Sequence, residues 1–242
     1  MDSQPLGFIV PELGRPSGGS AYNDAVVAAW PASLPLPVVH RLAPGPDLAA
    51  QLRTALLTRR VCVVDGLIGA EHPSVLADGH SSVLLVHLPR PVDQQDSASA
   101  ESVARLEARA VMEADSVIVP SRWAATDLAY RYGRTDLVVA PPGTSRAPMS
   151  EQHDPPVIVQ LAAIGPLKNQ LLTARAALSC ADLSFRLRSV GPAVDPRYAA
   201  ELAVMLSPLG ERASIEDAVS SQVRGDLLFG TDLVLGVLGV AS

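Results

Sequence analysis

SVIVPSRWAATDLAYRYGRTDLVV, residues 116–139, carries the pattern that decides the fold. Its first four residues, Ser116-Val-Ile-Val119, form an apolar run without alternating polarity, as a strand does when both of its faces are buried in a parallel sheet. Pro120-Ser121-Arg122-Trp123 reads as loop punctuation and a helix cap. Arg122–Tyr132 then places apolar residues at three-to-four spacing and predicts a helix. Leu137-Val-Val139 returns to a strand. Strand, helix, strand is the βαβ unit from which doubly wound sheets are built.

The same alternation runs outward in both directions. Toward the N-terminus the strand-like runs are Gly7–Val10, Pro37–His40, Val61–Val64 and Val83–Val86, and the helical segments are Ala21–Trp30, Asp47–Thr58 and Glu101–Glu113. Beyond residue 139 the stretch MSEQHDPP, Met149–Pro156, is polar, acidic and proline-ended, and reads as a linker. The alternation then restarts with strand Val157–Leu161, helix Asn169–Leu178, strand Phe185–Val190 and helix Pro196–Leu206. Ala213–Ile215, Glu216–Leu228 and Leu233–Leu235 follow as strand, helix and strand. The expected organisation is a Rossmann-like domain over 1–148, a linker over 149–156 and a second, shorter Rossmann-like domain over 157–242. In such folds ligands sit at the carboxyl ends of the strands.

Composition narrows the function classes. The chain has 242 residues, 48% hydrophobic and 18% charged, which excludes a disordered chain. Its formal net charge of -6 and lack of a basic cluster argue against nucleic-acid binding. Of 19 basic residues only one, Lys168, is lysine. Cys62 and Cys180 sit in apolar runs and are expected to be buried thiols rather than a disulfide. No signal peptide is legible, and no apolar run approaches the roughly 20 residues of a membrane-spanning helix. The expectation is a cytoplasmic protein, with peripheral membrane contact left open.

Several turns are candidates for chemistry. Ser17-Gly18-Gly19-Ser20 leads into a helix, where free N–H groups and the absence of Cβ atoms suit an anion; a plain strand-to-helix turn explains it equally. His87 closes the fourth strand, at the end that faces ligands in this architecture, and a structural hydrogen-bonding role stands beside that reading. His40, His72, His80 and His153 suggest no metal set. Lys168, in Gly165-Pro-Leu-Lys168-Asn-Gln170, stands at a helix start where a phosphate would be met, or is simply an exposed lysine. Gly191 would let a nucleotide approach the backbone, or merely ends a strand. Glu101, Glu107 and Glu113 interleave with Arg105 and Arg109 as on a solvated helix face. No dinucleotide fingerprint, Walker loop, catalytic triad order or zinc motif is present.

A set of motifs occurs in a fixed order: Ser17-Gly18-Gly19, Val86-His87, Glu107 with Ala114-Asp-Ser-Val-Ile-Val-Pro-Ser121, Asp127-Leu128, Tyr132-Gly133, Val138-Val-Ala-Pro-Pro-Gly143, Pro166-Leu-Lys168 and Val190-Gly191. With these the chain resembles, over nearly its whole length, the retaining GT-B-fold glycosyltransferases of family 4. The resemblance implies an α/β fold of two tandem Rossmann-like domains, the second incomplete. It implies a hexosyltransferase that uses a nucleotide-sugar donor and an unknown acceptor, with no metal or other cofactor. Lys168 would bind the donor diphosphate, helped by Gly165, with Gly18 and Gly19 near the diphosphate from the N-terminal side. Gly191 would face the nucleotide. His87 would be the catalytic contact, bonding the transferred sugar near the reacting carbon.

Two departures accompany the resemblance. Where the family carries an arginine five residues before the lysine, this chain has Ala163. The family's Glu-x7-Glu segment has no counterpart after Leu235, and Gly236–Ser242 diverges, as expected of a truncated gene product. The alternative expectation is therefore a non-catalytic remnant serving as a nucleotide-binding or interaction module. A two-domain dehydrogenase is disfavoured by the missing fingerprint.

Overall fold

In the computed structural model the 116–139 stretch forms strand, helix and strand at nearly the expected bounds. The structure describes residues 4–14, 17–77, 81–90, 97–143 and 149–237, so His80 and the tail from 238 lie outside the described residues. These fall into two compact units, one on each side of residues 144–148.

The first unit runs β1 (Gly7–Pro11), α1 (Gly18–Ala28), β2 (Val38–Leu42), α2 (Leu48–Leu57), β3 (Val61–Asp65), α3 (Gly66–Gly69), α4 (Pro73–Leu76), β4 (Ser81–Leu85), α5 (Ser97–Glu113), β5 (Ser116–Val119), α6 (Arg122–Tyr132) and β6 (Leu137–Val139). Its six strands pair in parallel in the order β2-β1-β3-β4-β5-β6. Successive side chains point to opposite faces, so each continuous apolar run feeds two cores. Ile9, Val64, Leu84 and Val117 pack with Leu52, Val111 and Leu128 from the helices of one face. Phe8, Val10 and Leu85 pack with Tyr22 and Val27 of α1 on the other.

The second unit runs β7 (Val157–Leu161), α7 (Gln170–Ser179), β8 (Arg186–Val190), α8 (Pro196–Leu206), β9 (Ala213–Glu216), α9 (Ser221–Phe229) and β10 (Leu233–Val234). Its strands are also parallel, in the order β10-β7-β8-β9. Ile164, Leu187 and Leu202 form the core of one face, and Val159, Val190 and Leu227 that of the other.

Local chemistry sets the boundaries that differ from expectation. The Ser17 hydroxyl accepts from Ser20 N at 3.0 Å, so α1 begins at Gly18 rather than at residue 21. Ser220 caps α9 through Val223 N, which leaves Glu216 as the last residue of β9 rather than the first of a helix. The short helices α3 and α4 were not expected. Residues 149–156, expected as a linker, are bonded to the second unit. There Glu151 N donates to Phe229 O, and Asp232 accepts from the backbone N–H groups of His153 and Val157.

Two expectations are corrected. Cys62 is buried, but Cys180 is exposed, because it caps the C-terminal end of α7 instead of lying in a strand or helix core. Glu107 is only 1% exposed, since it shares the inward stripe of α5 with Ala110, Val111 and Ala114. Among the described residues no helix is long and apolar enough to cross a membrane, and no group of three acidic, histidine or cysteine residues could hold a metal ion.

Candidate functional site

The candidate residues gather at the carboxyl ends of the strands in each unit. In the first unit the strand order reverses between β1 and β3, the position at which open α/β sheets form a ligand crevice. An open cleft of about 390 Å³ lies there, lined among others by Ser17, Gly19, Asp65, His87, Arg90 and Glu107.

Four elements position its polar groups. Gly19 is the second residue of α1, and helix geometry leaves its N–H without an intrahelical partner. A Cβ on Gly19 would stand 3.0 Å from His87 Cδ2 and 3.4 Å from Cγ, so the glycine lets α1 close on the imidazole. Gly18 faces open space. Asn23, one turn after Gly19, is 3% exposed and bonds in two directions. Its Nδ2 donates to Asp65 Oδ2 at 2.9 Å, and its Oδ1 lies 3.0 Å from His87 Nε2.

Asp65 ends β3 and is 1% exposed. One of its oxygens accepts Leu67 N at 2.9 Å and so caps α3; the other lies 3.3 Å from His87 Nε2. Tyr22 meets the His87 ring edge-on, with centroids 5.1 Å apart and planes at 72°. The phenol of Tyr22 is itself held by Ala140 O at 2.9 Å. His87 is thus a clamped ring, with its Nε2 edge on two acceptors and its side chain 17% exposed.

Deeper in the cleft, Glu107 accepts Arg90 N and the Tyr132 phenol, each at 2.8 Å. Burial pushes its carboxyl above the ordinary value, against the pull of those two hydrogen bonds. Burial, with the carboxylate beside it, also pushes the Tyr132 phenol up. Arg90 reaches Glu71 at 3.5 Å.

In the second unit the chain leaves β7 and turns through Pro166–Lys168, a single 3-10 turn, into α7. Two buried glutamines hold this turn. Gln160 Nε2 donates to Lys168 O at 2.7 Å, and Gln170 Nε2 donates to Ala163 O at 2.9 Å. The Gln170 carbonyl in turn accepts Gly165 N at 3.3 Å. Asn169, at φ 44°, caps α7 by accepting Leu172 N. Lys168 therefore has a fixed backbone, while its ammonium makes no hydrogen bond or ion pair among the described residues.

Gly165 is extended and packs beneath Val194, whose Cγ2 a Cβ would meet at 2.8 Å. Gly191 follows β8 at a point where a Cβ would overlap the Ala162 carbonyl oxygen, so this glycine permits the close approach of the two strand ends. The joined turns are stitched by Ile164 N to Pro192 O and Val194 N to Ile164 O. Nearby, Arg188 grips Glu216 with Nε and an Nη at 2.8 and 2.6 Å, which holds the Glu216 carboxyl below its ordinary value.

Gly19 and His87 thus line one cleft, with Gly18 beside it facing open space, and Gly165, Lys168 and Gly191 share one pair of turns. Sequence reasoning missed Asn23 and Asp65. Asp65 carried a signal: an acid at the carboxyl end of an apolar strand, the same position that singled out His87.

No protein-family model matches the chain, and no curated protein matches it in sequence. Solved structures do. HepE of Anabaena, in complex with UDP-glucose, superposes with a TM-score of 0.73 at 16% identity, over 97% of this chain and 74% of that one. The catalytic domain of starch synthase IV from Arabidopsis thaliana, bound to ADP and acarbose, gives 0.64 at 9% identity over 95% and 77%. The lipopolysaccharide outer core galactosyltransferase WaaB, in its apo form, gives 0.63 at 11% over 96% and 74%. The fold is that of the GT-B glycosyltransferases, with Rossmann-like α/β units and parallel sheets.

Proposed function

We propose that this protein is a retaining glycosyltransferase of the family 4 type, which moves a hexose from a nucleotide-sugar donor to a hydroxyl-bearing acceptor without a metal ion. The observation that carries the reading is Lys168: the chain's single lysine, on the turn before α7 that two buried glutamines fix, with an ammonium that has no partner among the described residues. A lysine on the turn that leads into a helix suits a diphosphate, whose charge its ammonium offsets. As the glycosidic bond breaks, negative charge builds on the departing nucleoside diphosphate, and a preorganised ammonium offsets it. Gly165 and Gly191 belong to the same pair of turns, where the nucleotide would lie. In the first unit, Gly18 and Gly19 would face the diphosphate and His87 the transferred sugar. The UDP-glucose held by HepE and the ADP held by starch synthase IV are ligands of the class proposed here.

A second reading has one observation in its favour. Ala163 supplies only a backbone carbonyl, bonded to Gln170, where the family carries a second cationic clamp. A single lysine then suffices for nucleotide binding without efficient transfer. The two readings separate in a transfer assay with a panel of nucleotide-sugar donors. Turnover that falls at least tenfold in both Lys168→Ala and His87→Ala supports the transferase. Turnover unchanged by both excludes these residues from the site. Binding of nucleoside diphosphate without any turnover supports the second reading.

A further inference from the structure

The hydrogens along Asp65, Asn23 and His87 have one consistent arrangement. A carboxylate only accepts, so Asn23 must turn its amide nitrogen toward Asp65 Oδ2. That places the Asn23 carbonyl oxygen 3.0 Å from His87 Nε2. Nε2 then faces two acceptors, Asn23 Oδ1 and, at 3.3 Å, Asp65 Oδ2, and it must carry a hydrogen. Asp65 is fixed in turn by Leu67 N, and the ring by Gly19 and Tyr22. A neutral imidazole with its hydrogen on Nε2 keeps a lone pair on Nδ1, which has no hydrogen-bond partner among the described residues.

We propose that Asp65 and Asn23 are positioning residues that hold His87 as the Nε2–H tautomer, so that the ring meets its ligand as an acceptor through Nδ1. An acceptor nitrogen backed by a buried carboxylate receives a hydroxyl hydrogen and disfavours a phosphate oxygen. The cleft of the first unit is therefore a hydroxyl-reading subsite at His87, distinct in chemistry from the lysine turn of the second unit. The identity of that hydroxyl as one of a sugar rests on the transferase reading; the tautomer does not.

Ring-nitrogen NMR of His87 in the full chain, assigned by the signals lost in His87→Gln, tests this without any ligand. In the pH range where the ring is neutral, the wild type is expected to show a protonated Nε2 and an unprotonated Nδ1. Asn23→Ala and Asp65→Asn, checked for folding by cooperative melting, are expected to lose that single-tautomer signature and to average the two nitrogens. If Asn23→Ala does not fold, Asn23→Ser takes its place. In that range a hydrogen on Nδ1, or a signature unchanged in the folded variants, overturns the proposal. Addition of UDP-glucose is then expected to shift the Nδ1 resonance more than the Nε2 resonance, and a larger Nε2 shift overturns the acceptor role. Failure of UDP-glucose or any other donor to bind counts against the transferase reading alone, because the ligand-free spectrum still decides the tautomer.

Discussion

The phenol of Tyr132, the last residue of α6, donates to Oε2 of Glu107 on α5 across 2.8 Å. The other oxygen of the same carboxyl accepts the N–H of Arg90. One buried group therefore ties two helices to the loop beyond β4 that carries His87. Any change in the charge of Glu107 is felt directly at its bonds to Tyr132 and to the N–H of Arg90 in that loop.

This arrangement predicts a pH dependence with a definite sign. Burial raises the Glu107 pKa above its ordinary 4.5, so the folded chain retains a proton that the unfolded chain has already released. The resulting stabilisation is present below 4.5 and is lost as pH rises through the raised value. Glu107→Gln keeps an acceptor for Arg90 and a donor for the Tyr132 oxygen, and does not titrate. Relative to wild type, the variant should gain stability as pH climbs from 4.5 toward neutrality. Urea unfolding at several pH values checks this, and parallel profiles for the two proteins would contradict it.

Gly19→Ala separates fold from site. At the second position of α1 an alanine is favoured over glycine by up to about 1 kcal/mol, which offsets part of the cost of its contact with His87, so the fold should persist. The added methyl presses on the imidazole of His87, whose clamped ring can yield only by leaving its acceptors. The ring must give by a few tenths of an ångström, and the transfer proposed above should fall, by up to roughly tenfold. Paired melting and turnover measurements distinguish this from a general loss of structure.

Gly191→Ala should do the reverse, harming the fold first. The methyl would overlap the Ala162 carbonyl oxygen, and the obstacle is backbone rather than a flexible side chain. A loss of about 1–3 kcal/mol is expected in denaturant unfolding, the usual cost of overpacking. Equal midpoints for variant and wild type would show that the two strand ends do not approach as closely as described.

The strands were legible because burial on both faces removes polar residues from the run, as in Gly7–Val10. The ends of the elements were less so. Ser17 and Ser220 cap their helices by contacts three residues away, which move α1 earlier and α9 later than apolar periodicity suggests. Glu107 was misread because its neighbours Arg105 and Arg109 are charged. Its own spacing to Ala110, Val111 and Ala114 marked it as inward-facing. Asn23 and Asp65 are brought together across 42 positions, and Asn23 meets His87 across 64. No local pattern encodes such pairings; they follow from the strand order that sets β3 between β1 and β4.

The central claim is that the turn carrying Lys168 holds a nucleoside diphosphate. Calorimetric titration of the purified chain with a panel of nucleoside diphosphates, repeated on Lys168→Ala, tests it most directly. The account predicts saturable one-site binding of at least one diphosphate to the wild type. It also predicts a loss of affinity of about tenfold or more in the variant, as expected when a charge-assisted hydrogen bond is removed. Absence of binding across the panel, or an affinity that Lys168→Ala leaves unchanged, would contradict it.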